Sequence, residues 1–64
     1  MDKYETLKSI WDDGEIAYAE DNMGIIYKFA AINNQFQYTR VDLSEWFTGI
    51  TVTDYLHNFK NFRL

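Results

Sequence analysis

The residues able to do chemistry are few: one histidine (His57), two serines (Ser9 and Ser44), ten carboxylates and no cysteine. Acid–base catalysis needs a titratable group, an orienting partner and a pocket. His57 falls opposite the Tyr55, Phe59 and Phe62 stripe of a predicted C-terminal helix, where a solvated imidazole is expected. Neither serine has the strand–turn–helix setting of a nucleophile elbow. Asp12, Asp13 and Glu15 flank Gly14 like the opening of a calcium loop. The alternating oxygen ligands and the distal bidentate Glu that such a loop needs do not follow. Gly14, Gly24 and Gly49 stand alone, so no glycine-rich phosphate cradle is present. Without cysteine there is no thiolate zinc site, thiol nucleophile or disulfide framework. The expectation is a non-enzyme with no catalytic, cofactor or metal residues.

Aromatic side chains raise a second chemistry. Tyr27, Phe29, Phe36 and Tyr38 alternate along two predicted strands and could stack nucleobases. Such a platform needs a positive field for phosphates, whereas this chain has net charge −4. The rings are therefore assigned to the core, and no direct nucleic-acid partner is expected.

Charge is distributed unevenly. Residues 1–32 carry seven acids and three bases, and residues 33–64 carry three of each. Between positions 12 and 21 lie Asp12, Asp13, Glu15, Glu20 and Asp21, with no base among them. On a strand at a sheet edge, these acids would block unwanted strand addition. They would also steer the chain towards a basic protein surface. In the extreme form they would stand in for DNA phosphates.

These groups need elements to position them. Residues 2–12 read as a helix with Asp2 as cap, Glu5 three residues on, and an apolar stripe of Tyr4, Leu7, Ile10 and Trp11. Gly14 suits the turn that ends it. Residues 15–20, 25–32 and 35–41 read as three strands of a meander. Asn33-Asn34 suits a two-residue hairpin, because both residues tolerate positive φ. Residues 43–52 supply a short extra helix or strand. Thr53 caps a last helix whose stripe is Tyr55, Leu56, Phe59 and Phe62, with Lys60 and Arg63 towards its C-terminus. Residues 1–64 thus form a single small α+β domain, α-β-β-β-α, with both helices packed on one sheet face.

Pairing Glu20 with Ile25 and Ile32 with Gln35 divides the side chains between the two faces. Ile16, Tyr18, Tyr27, Phe29, Ala31, Phe36 and Tyr38 then lie beneath the helices. Ala17, Ala19, Ile26, Ala30 and Ile32 lie on the opposite face, with Lys28, Gln37, Thr39 and Val41. Unless residues 43–52 fold across it, that second face is an exposed apolar patch suited to self-association.

No apolar run approaches the roughly 18 residues of a membrane span, so a cytoplasmic protein without a membrane partner is expected. Small size, acidity, absence of Cys and Pro, and richness in Asn, Tyr and Phe resemble the makeup of many bacteriophage and mobile-element proteins. That likeness is compositional and transfers no residue roles. The function expected is a small acidic protein-binding module, an inhibitor or regulator of phage type that occupies a basic surface of a larger host protein. Its contacts would be Asp12, Asp13, Glu15, Glu20 and Asp21, with Met23, Trp46 and Phe47 as apolar additions. The alternative is a structural subunit that acts by homodimerising through Ala17, Ala19, Ile26, Ala30 and Ile32, or by completing a larger complex.

Overall fold

The computed structural model describes all residues, Met1–Leu64. The elements run α1 (Lys3–Asp13), β1 (Ala17–Glu20), β2 (Ile26–Ile32), β3 (Gln35–Arg40), α2 (Val52–Asn58) and β4 (Lys60–Arg63). The four strands form one antiparallel sheet in the order β3-β2-β1-β4. This is the expected α+β fold with its central meander, extended by a fourth strand.

Local chemistry sets the ends of α1. The Asp2 carboxylate accepts from the Tyr4 and Glu5 amides at 2.9 Å each, meeting two of the unpaired donors of the first turn. These backbone bonds, the one from Glu5 foremost, hold the Asp2 pKa below its ordinary value. Gly14 closes the helix in the left-handed region at φ 67°, and its amide donates to the Ser9 carbonyl. The buried stripe differs from the expected one. Ile10 is fully buried as expected, but Tyr4 and Trp11 are exposed, and Thr6 is fully buried in their place. Thr6 is inward because it has partners. Its hydroxyl donates to the Lys3 carbonyl at 2.9 Å and accepts from the Tyr55 hydroxyl at 2.6 Å.

The β2–β3 hairpin has the predicted register, with Ile32 opposite Gln35 and Tyr27 opposite Arg40. Asn33 and Asn34 take φ of 52° and 64°, the turn conformation expected of them. The β1–β2 register differs by one residue. Glu20 faces Ile26 rather than Ile25, and Ala17 faces Phe29. The cause is the loop. The Asp21 amide donates to Ile25 and the Gly24 amide to Asp21, at 3.0 Å each, closing a three-residue loop with Gly24 at φ 81°. The Asp21 carboxylate also accepts from the amides of Met23 and Ile25. Because strand side chains alternate, this single step turns all of β1 over. Ile16 and Tyr18 leave the helix-covered face, and Ala17 and Ala19 enter it, both 0% exposed.

The chain after residue 50 also departs from expectation. Thr51, not Thr53, caps α2 in a reciprocal capping box with Asp54. The helix ends at Asn58, and Lys60–Arg63 becomes a strand beside β1 instead of a further helical turn. Helix and strand both put Phe62 near Tyr55. The unpaired edge of β1 decides for the strand, which satisfies its backbone groups. Asn61, at φ 57°, takes up the register shift on this pair. Residues 43–50 form neither a short helix nor a strand, apart from a single bridge at Phe47, and Asp42 pairs with Arg40 at 3.1 Å. Phe47 exchanges two backbone bonds with Tyr38 on the outer edge of β3.

The core is aromatic. Phe29 meets Tyr55 and Phe59 edge-on at 4.7 and 5.0 Å, and Tyr55 meets Phe62 at 4.9 Å. Opposite these rings, Ala17 and Ala19 leave room for Ile10 and Leu7 of α1.

Candidate protein-binding surface

The five acids of the run do not form one edge. β1 lies between β2 and β4, so it is interior to the sheet and needs no edge protection. Glu20 is half-buried, faces Lys60 across the β1–β4 pair, and accepts from the Asn61 amide group at 2.9 Å. Asp21 is half-buried and its carboxylate holds the loop together. Asp12, Asp13 and Glu15 are exposed around the end of α1. Glu5 joins them along the helix. Glu5, Asp12 and Asp13 line an open groove of about 400 Å³ with Met1, Lys8 and Ser9. Glu5 was missed as a member of this face, though its spacing of seven residues from Asp12 already put the two on one side of the helix.

This end of α1 is electrostatically unfavourable for the fold. Its last turn holds Asp12 and Asp13 and no base, where the helix dipole is negative. The one ion pair in the molecule is Arg40–Asp42, so none of these acids has a cation within ion-pair distance.

The apolar candidates separate. Met23, at the β1–β2 loop tip, is 84% exposed, and Phe47 is 43% exposed. Phe47 lines an open hollow of about 280 Å³ with Leu43, Ser44 and Glu45. Trp46 is half-buried, with the Lys28 ammonium 5.1 Å from its ring centroid. Phe47 and Trp46 point to opposite sides because neighbours alternate about the Phe47–Tyr38 bridge. Trp46 therefore supplies partial cover for the second sheet face, as one of the two sequence alternatives required.

The self-association face is not assembled as expected. Ala17 and Ala19 lie in the core, and Ala30 is buried. Ile26 and Ile32 remain half-buried on the helix-free face beside Lys28, as expected, and Tyr18 and Glu20 join them there. Arg63 of β4 is opposite Tyr18, its guanidinium 5.8 Å from the ring centroid. Thr39, opposite Lys28, is 1% exposed and its hydroxyl has no partner. The flat aliphatic ladder is thus replaced by a mixed surface in which bases stack on rings.

Burial pushes the Tyr55 phenol above its ordinary pKa, and the bond to Thr6 offsets part of that. Burial also raises Tyr27, with the neighbouring Asp21 charge adding to it. His57 is exposed in the last turn of α2. No three His, Asp or Glu side chains converge as a ligand set. No helix is long and apolar enough to cross a membrane.

Comparison with protein-family models, with curated proteins and with solved structures finds no match to this chain.

Proposed function

We propose that the protein is a non-enzymatic binding module that lays the acidic side of α1 on a basic surface of a larger protein. The observation that supports this is the end of α1. Asp12, Asp13 and Glu15 crowd the negative pole of a helix dipole with no cation within ion-pair distance. An arrangement that weakens the free fold gains a reason if a partner supplies the missing positive charge. Glu5 extends the face by two helical turns, and the exposed Met1 adds apolar contact beside it. In the narrower form, the chain is an inhibitor or regulator of phage type acting in the host cytoplasm. If its target binds nucleic acid, the carboxylates stand in for phosphates.

Affinity capture from host extract tests this, with wild type beside an Asp12→Asn, Asp13→Asn, Glu15→Gln variant. The wild type retains a partner at low salt and loses it as salt rises, and the variant retains none. A partner kept equally by both proteins, or capture indifferent to salt, rejects the electrostatic reading. Release of the captured partner by duplex DNA identifies the mimicry case.

A further inference from the structure

The helix-free sheet face carries an ordered charge pattern that is the complement of α1. Lys28, Lys60 and Arg63 share this face with a single acid, Glu20, while the remaining residues carry nine acids and three bases. Lys28 on β2 and Arg63 on β4 are both paired with Tyr18 of β1. They are therefore two strand spacings apart, about 9.6 Å. Glu20 lies on the strand between them, two residues from Tyr18. Glu20 is opposite Lys60 and bonded to Asn61, so the row itself presents two positive ends across the Tyr18 ring. Both bases lie against rings, Lys28 on Trp46 and Arg63 on Tyr18, so they are ordered before any contact forms.

On α1, Glu5, Lys8 and Asp12 are all exposed. Seven residues of helix separate Glu5 from Asp12, about 10.5 Å along the axis, and the two project to one side. Lys8 lies between them, so the helix reads minus, plus, minus at nearly the spacing of the sheet.

We propose that the helix-free sheet face receives α1 of a second copy of this chain. Glu5 and Asp12 of one copy meet Lys28 and Arg63 of the next, and Lys8 falls over β1 between them. The contact joins two different surfaces, so a dimer keeps one of each free and association runs head to tail beyond it. A long polyanion suits the row less well, because it would run past the acids that dominate the rest of the molecule. This self-association stands apart from capture of a larger partner, although both engage α1 and therefore compete.

Salt has a characteristic effect. Each copy carries net charge −4, so whole molecules repel while the facing patches attract. The Debye length is about 30 Å at 0.01 M salt, about 8 Å at 0.15 M and about 3 Å at 1 M. Repulsion between centres is screened at intermediate salt, before the close pairs are. Association is therefore strongest near physiological salt and weaker at both extremes.

Sedimentation equilibrium of the purified chain, up to on the order of 1 mM, tests the proposal. Two variants accompany the wild type: Lys28→Glu with Arg63→Glu, and Glu5→Lys with Asp12→Lys. The expected result is a wild-type mass that rises past the dimer, two variants that are each monomeric, and a mixture of the variants that again associates past the dimer, because the two reversed surfaces also complement each other. A wild type that stays monomeric at every salt concentration overturns the proposal. So does a closed dimer indifferent to both variants, or a mixture that does not associate. If circular dichroism finds the sheet variant unfolded, Lys28→Gln with Arg63→Gln replaces it, and the wild-type salt profile decides independently. A single-stranded oligonucleotide that binds the wild type and is lost with the sheet variant assigns the row to phosphates instead.

Discussion

Thr39 is buried on the helix-free side of the sheet with an unpartnered hydroxyl. Leaving such a group unsatisfied costs about 1–3 kcal/mol. Thr39→Val keeps the branched shape and removes the polar atom, so it should stabilise the fold by about 1 kcal/mol, read as a higher midpoint in urea. Asp12 and Asp13 lead to a second prediction. Replacing both by Asn relieves the clash with the helix dipole and should stabilise by about 0.3–1 kcal/mol per residue, most at low ionic strength. If neither replacement raises the urea midpoint, the end of α1 is not strained and the support for a charged partner falls. Tyr55 gives a pH prediction. Its folded pKa lies above the ordinary value of 10.0. The unfolded chain therefore loses that proton first. The stabilisation is complete below about pH 10 and is lost as pH rises through the folded value. Tyr27 acts in the same sense. Tyr55→Phe should flatten the alkaline loss, seen in stability measured from pH 8 to 11, while costing about 1 kcal/mol at neutral pH for the bond to Thr6.

At the scale of elements, the β1–β2 loop sets which side of β1 faces the helices. The Asp21-to-Gly24 span has Asp at the first turn position and Gly at the fourth, the residues a type I turn favours. That signal was present in the sequence. A four-residue connection fits the strand pattern equally well, because Ile16, Tyr18 and the alternating alanines can each be written as a buried set. The choice rests on volume. Phe29, Phe36, Tyr55, Phe59 and Phe62 already fill the space beneath the helices, and only alanines fit beside Ile10. Ala19→Glu should therefore abolish cooperative unfolding, whereas Tyr18→Ser should leave a folded protein. The reverse outcome in near-UV and far-UV circular dichroism would restore the other register. β4 was less legible. Tyr55, Phe59 and Phe62 have helical spacing, and a four-residue strand carries almost no periodicity of its own. Its identity depends on the edge of β1, which lies some forty residues earlier and needs a partner. Slowed amide exchange on both sides of the β1–β4 pair is the expected signature of that strand.

For the molecule as a whole, size dominates. Nine of 64 residues are buried, so no single aliphatic cluster carries the fold and the ring contacts must. Phe29 touches Tyr55, Phe59 and Phe36, and Phe29→Leu should destabilise by about 1–3 kcal/mol, a large share of a domain this small. Charge is the other molecular property, and it separates into an acidic helix side and a sheet side rich in bases. The sequence alone determined the α+β class, the capped first helix, the Asn33-Asn34 hairpin with its register, the aromatic core and the acidic imbalance. Each follows from short-range geometry or composition: a side chain reaching a nearby amide, a turn conformation, a sum of charges. Only the tertiary structure decided that Ala17 and Ala19 are interior, that β1 is flanked on both sides, that Glu20 and Asp21 are engaged internally, and that Lys28, Tyr18 and Arg63 share one row. Those outcomes depend on which backbone edges remain unpaired and how much volume the rings leave, and both are properties of the assembled chain rather than of any local stretch of it.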